Sequence, residues 1–171
     1  MTMAPEHARV RSYLVTQAEK LSVAEIWAKV EASFVELSQS VSGNITPAQL
    51  TFKPGPEEWS IVEVMSHLLS SNINTCRTVV ALARGKELSR DTGERGSLSA
   101  ADDFLTLVAV NREAVIHSVR ELPESLELEP TLPHGMFGPL NCKAWLLFIR
   151  LHNLDHASQV KKNRQQQNYP R

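Results

Sequence analysis

The stretch Trp59-Ser60-Ile61-Val62-Glu63-Val64-Met65-Ser66-His67 decides how this chain folds. Ser60 followed three residues later by Glu63, ahead of an apolar run, is a capping box. The hydroxyl and the carboxylate each satisfy a backbone amide that the first helical turn leaves without a partner. The helix starting here carries Ile61, Val64, Leu68, Val79 and Leu82 at helical intervals, and Gly85 stops it. It also carries His67, about 9 Å below its start at 1.5 Å per residue.

Outward from this segment, prolines and glycines leave four long intervals free of both residues, each with helical periodicity. Ser22-Val23-Ala24-Glu25 is a second capping box, opening a helix through Ile26, Trp27, Val30, Phe34 and Leu37 that ends near Gly43. A third helix is expected from Ser99, with Asp102 three residues on, to about Leu122 before Pro123. The fourth starts after Gly138-Pro139 with Asn141 as N-cap and continues past Val160. Its inward stripe is Trp145, Phe148, Ile149, His152, His156 and Val160. Residues 5–20 suit a shorter helix around Tyr13 and Leu14. No strand, hairpin turn or internal repeat is expected. The reading is an all-α domain, a four-helix bundle with a short extra N-terminal helix. It divides into an N-terminal extension (1–21), the bundle (22–163) and a polar tail (164–171) that frays into solvent.

The fourth helix contains Leu151-His152-Asn153-Leu154-Asp155-His156-Ala157. Histidines four residues apart share one helical face, so two imidazoles can converge on one ion. With His67 they make the ligand set of a catalytic divalent metal, three imidazoles and an open position. His67 is level with the pair only if its helix runs antiparallel to the fourth; a parallel arrangement separates them by about 9 Å. The bundle must then run up-down-down-up, with residues 86–98 crossing its length. Extended, those residues reach about 43 Å against a helix of about 36 Å.

Bulk properties narrow the function. The 171 residues suit one domain with a sizeable core, and 42% hydrophobic with 22% charged residues is an ordinary globular balance. A net charge of −1 offers no field for nucleic acid. Cys76 and Cys142 are too few for a disulfide framework and read as reduced, packed thiols. No stretch resembles a signal peptide or reaches membrane-spanning length, so no membrane partner and a cytoplasmic location are expected. Glu-x-x-His pairs for a di-iron bundle, His-Glu-x-x-His, a phosphate-cradling glycine loop and Gly-x-Ser-x-Gly are all missing from the sequence.

Around the histidines, Glu63 could serve as ligand or general base, but its capping role is the stronger reading. Asp155 and Gln159 are candidates for orienting an imidazole, with plain solvated side chains as the alternative. His134 is expected as a turn residue at the far end of the bundle unless its loop folds back, with His7 and His117 on the surface. Trp59 and Phe52 are expected at the mouth of the site, as pocket lining or as a plug.

Pro56 to His67, His134-Gly135-Met136-Phe137-Gly138-Pro139-Leu140, Trp145 and the His152/His156 pair with Gln159 resemble the DinB/YfiT-like superfamily of metalloenzymes. The resemblance covers roughly residues 22–162. It implies an up-down-down-up four-helix bundle and a divalent ion, nickel or zinc, on His67, His152 and His156. It also implies frequent homodimers and, in some members, a low-molecular-weight thiol cofactor. On this reading the chain is a metal-dependent hydrolase or thiol-dependent S-transferase acting on a small-molecule substrate through metal-bound water or thiolate. A non-catalytic metal- or small-ligand-binding stress protein is the alternative.

Overall fold

Both capping boxes form as the sequence requires. Ser60 Oγ accepts the Glu63 amide at 3.3 Å and Glu63 Oε2 accepts the Ser60 amide at 2.8 Å; Ser22 and Glu25 make the same exchange. The computed structural model describes residues 4–86, 98–120, 122–123 and 126–171. Among these, helices α1 (Pro5–Lys20), α2 (Val23–Ser40), α3 (Pro47–Thr51), α4 (Ile61–Ala83) and α5 (Phe104–Arg120) precede a two-stranded hairpin. The hairpin, β1 (Thr131–His134) and β2 (Gly138–Asn141), leads into α6 (Cys142–Arg164). Asn141 caps α6, accepting the Ala144 amide at 2.9 Å.

Six side-chain links set the helix directions. Cys142, at the start of α6, donates to Val79 O late in α4, and Asn163, at its end, donates to Trp59 O just before α4, so α4 and α6 are antiparallel. Lys143 reaches Leu21 O before α2 and Arg164 reaches Ser40 O at the end of α2, so α2 and α6 are parallel. Asn111 bonds Leu69 O while Ser118, further along α5, bonds Cys76, making α4 and α5 parallel. The bundle α2, α4, α5, α6 therefore runs up-down-down-up. The crossing connection expected over 86–98 lies almost wholly outside the described residues.

α6 is the axis of the molecule. It packs on α2, α4 and also α1, so Leu146, Leu147, Ile149 and Val160 are all buried in one cluster with Ile26, Phe34, Ile61 and Leu68. This three-sided coverage is why residues outside the expected stripe, Leu146, Leu147 and Asn153, are buried. α1 runs the full span expected for it and places Leu14 and Ala18 in the same core.

Three expectations are corrected. The α5 cap is Asp103, not Ser99: its carboxylate accepts the Leu105 and Thr106 amides, while Ser99 and Asp102 bond each other in a turn just before. Asp103 wins because it sits directly before buried Phe104, where the core demands that the helix begin. The segment before α6 is a hairpin pairing Leu132 with Leu140 and His134 with Gly138, where no strand was expected. Two four-residue strands, each with a proline inside it, carry too few residues for a readable alternation. The C-terminal tail does not fray: Tyr169 packs edge-on to Phe52, Pro170 O accepts from Gln49, and Arg164 bonds two carbonyls at the end of α2.

Candidate metal centre

The antiparallel α4/α6 pair brings His67, His152 and His156 to one level. His152 Nε2 lies 3.2 Å from His67 Nε2 and 2.9 Å from His156 Nε2, and all three ligand atoms fall within 4.8 Å of one another. Nitrogens around a tetrahedral ion at 2.0–2.1 Å would be separated by about 3.3 Å, so the cluster is already near ligand spacing. It is the candidate metal-holding group among the described residues.

Proton positions favour a cation as well. His156 Nδ1 is 2.8 Å from Gln159 Oε1. An amide oxygen only accepts, so Nδ1 carries the proton and Nε2 turns its lone pair into the cluster. His152 Nδ1 is buried without a partner among the described residues. Burial, then the charges of His156, His67 and His134, push the His152 pKa down from 6.5 to about 3, leaving a neutral ring able to ligate.

The surroundings sort the other candidates. Glu63 is paired with Lys53 Nζ at 2.6 Å and held in its cap by Ser60; these bonds, the lysine's first, keep its carboxyl below the usual range and engaged away from the imidazoles. Asp155 is exposed on the outer face of α6. Trp59 lies over the cluster, 5.0 Å from the His67 ring and stacked 6.3 Å from His156. Phe52 is turned to Tyr169 instead. Neither cysteine offers a reactive thiolate, since burial pushes Cys76 up to about 12 and Cys142 up to about 11.

The cavity beside the cluster is not below Trp59. About 530 Å³ in volume, it is walled by His67 and His152, by Ser70, Ser71, Thr75 and Thr78 along α4, and by Trp145 and Phe148 from α6. The hairpin forms another of its walls. His134 is thereby brought into the same cavity, contrary to its expected place at the far end of the bundle; the ring packs 4.5 Å from Phe148. His7 is likewise not a free surface residue, for it meets the hairpin at Phe137. The missed signal was the run of aromatics Phe137, Trp145 and Phe148, which pulls the hairpin back over the bundle. His117 is exposed, as expected.

Comparison with known sequences agrees with this geometry: residues 27–160 match the profile of the DinB superfamily. The chain belongs to the DinB superfamily. It is 27% identical over 138 residues to the uncharacterized protein YuaE of Bacillus subtilis, a match covering 69% of this chain and 85% of that protein. Its fold is similar to the crystal structure of TT2238, a four-helix bundle protein, at a TM-score of 0.60 and 22% identity. That likeness covers 82% of this chain and 99% of the other. No described helix is long and apolar enough to cross a membrane.

Proposed function

We propose that this DinB-superfamily chain is a metal-dependent enzyme whose His67, His152 and His156 bind one divalent ion, nickel or zinc. The observation carrying this reading is the meeting of three Nε2 atoms from two distant segments, 3.2 and 2.9 Å apart. An all-imidazole donor set suits zinc and nickel. Such an ion supplies Lewis-acid chemistry and lowers the pKa of water or a thiol. Gln159 holds the His156 tautomer that ligation needs, as the outer partners of metal histidines usually do. His67 and His152 present the centre to a cavity large enough for a small substrate. Trp59 shields the centre on another side. Hydrolysis and thiol-dependent S-transfer both fit such a centre.

A non-catalytic metal-binding protein is the second reading, favoured by the cover that Trp59 lays over His67 and His156. Against it, Glu63 is tied to Ser60 and Lys53 rather than free to close a fourth position. Assembly as a homodimer belongs to the same proposal and is read from the mass in solution.

Elemental analysis of untagged protein tests the centre. Wild type is expected to hold one ion per chain, His152→Ala none, and Gln159→Leu to bind about 10–100-fold more weakly. Metal-free wild type that takes up neither zinc nor nickel would overturn the proposal. A screen with small thiols then separates transferase from hydrolase.

A further inference from the structure

The cavity has two unlike walls. Ser70, Ser71, Asn74, Thr75 and Thr78 repeat at helical spacing and give α4 a polar but uncharged face. Opposite stand Trp145, Phe148 and Met136. Trp145 has already given its N–H to Leu132 O at 3.2 Å, so only carbon faces are left for an occupant. Among the described residues no Lys, Arg, Asp or Glu lines this space.

His134 is the polar group set within the apolar side. Its Nδ1 accepts the Met136 amide at 3.2 Å and the Phe137 amide at 3.4 Å, closing the hairpin turn. An imidazole nitrogen that accepts carries no proton, so the neutral ring bears its hydrogen on Nε2. Nε2 has no hydrogen-bond partner among the described residues, yet it is not among the buried unsatisfied atoms. It is therefore a reachable donor, and its residue forms part of the cavity lining. Phe137 stacked at 4.6 Å and Phe148 at 4.5 Å hold the ring in place.

We propose that this cavity is the subsite for an uncharged, ring-bearing ligand with an accepting oxygen, and that His134 Nε2–H donates to that oxygen. The apolar wall takes the ring, and the hydroxyl face of α4 takes the ligand's remaining polar atoms. An anionic ligand would lose its hydration with no cation on these walls to replace it. The proposal deepens the metal-centre reading and rests on it for where the ligand's reacting end lies; the selectivity of the walls stands without an ion.

Metal-free protein is the first test, with benzamide and benzoate as a matched neutral and anionic pair followed by amide shift titration. Benzamide is expected to bind at millimolar concentration, with benzoate at least about ten-fold weaker. His134→Asn can keep an acceptor for the turn through Oδ1, while its Nδ2–H falls short of the position that the Nε2–H reaches. It is expected to weaken benzamide about ten-fold, the worth of one hydrogen bond, while amide shifts outside the hairpin stay those of the wild-type fold. Long-range nitrogen spectra of wild type should report the Nε2–H tautomer of His134. No benzamide binding, equal binding of benzoate, an Nδ1–H tautomer, or an undiminished His134→Asn variant would each overturn the proposal. Zinc-loaded protein separates the two readings. If the protein takes up neither zinc nor nickel, the metal centre fails while the metal-free selectivity stands. If zinc binds and benzoate gains strongly, the ion's open position faces this cavity.

Discussion

His152 is constrained from several sides. Its Nε2 meets two other imidazoles, its Nδ1 is buried without a partner, and Phe148 stacks on its ring at 4.9 Å. Burial first, and the neighbouring histidines second, carry its pKa down from 6.5 to about 3. The unfolded chain therefore takes up this proton before the folded one does. Stability from the neutral ring is complete above pH 6.5 and is lost as pH falls from there toward 3. Metal-free protein should melt lower at pH 5 than at pH 7, this one group contributing at most about 1.4 kcal/mol per pH unit. Thermal melts across that range check it, and a flat profile would mean that His152 is charged or solvated when folded.

At the scale of the element, the start of α4 has a purely structural task that a sequence reader could mistake for chemistry. Glu63 lies one turn before His67 on the same helix, as a fourth ligand might, but its carboxylate is bound to the Ser60 amide and hydroxyl and to Lys53. Ser60→Ala should cost about 1 kcal/mol, the usual worth of an N-cap, and lower the melting temperature by about 2–4 °C. Glu63→Gln should leave metal stoichiometry unchanged while weakening the cap. A ligand role would instead reduce metal content, which elemental analysis of that variant reads directly. The hairpin is the other decisive element, since it makes the turn residue His134 part of the cavity wall as well.

Across the whole molecule, one polar side chain from each of the four bundle helices meets in the core. Asn72 of α4 donates to Asn111 of α5 and to Asn153 of α6, each at 3.0 Å, and Asn153 donates to Ser33 of α2 at 3.0 Å. All four residues are buried. A slip of any helix by one residue would break these bonds in an apolar core, so the network selects the register that also levels the three histidines. Asn72→Ala strands two buried carboxamide oxygens and should cost about 2–4 kcal/mol. Urea unfolding measures this, and a loss well under 1 kcal/mol would show that water replaces the amide at little cost.

Helix starts were written locally. Ser22/Glu25, Ser60/Glu63 and Asn141 cap by contacts with residues no more than three positions away, so composition and spacing alone determined them. The i,i+4 pair His152/His156 and the Gln159 partner are also local to one helix, and the antiparallel relation to His67 followed from matching depths along two helices. What depended on distant segments was not legible. The asparagine network joins four helices, α6 is covered on a third side by α1, and the hairpin folds His134 over the cavity. Each of these is settled by which surfaces the core brings together, a property of the packed chain that no short window of sequence contains.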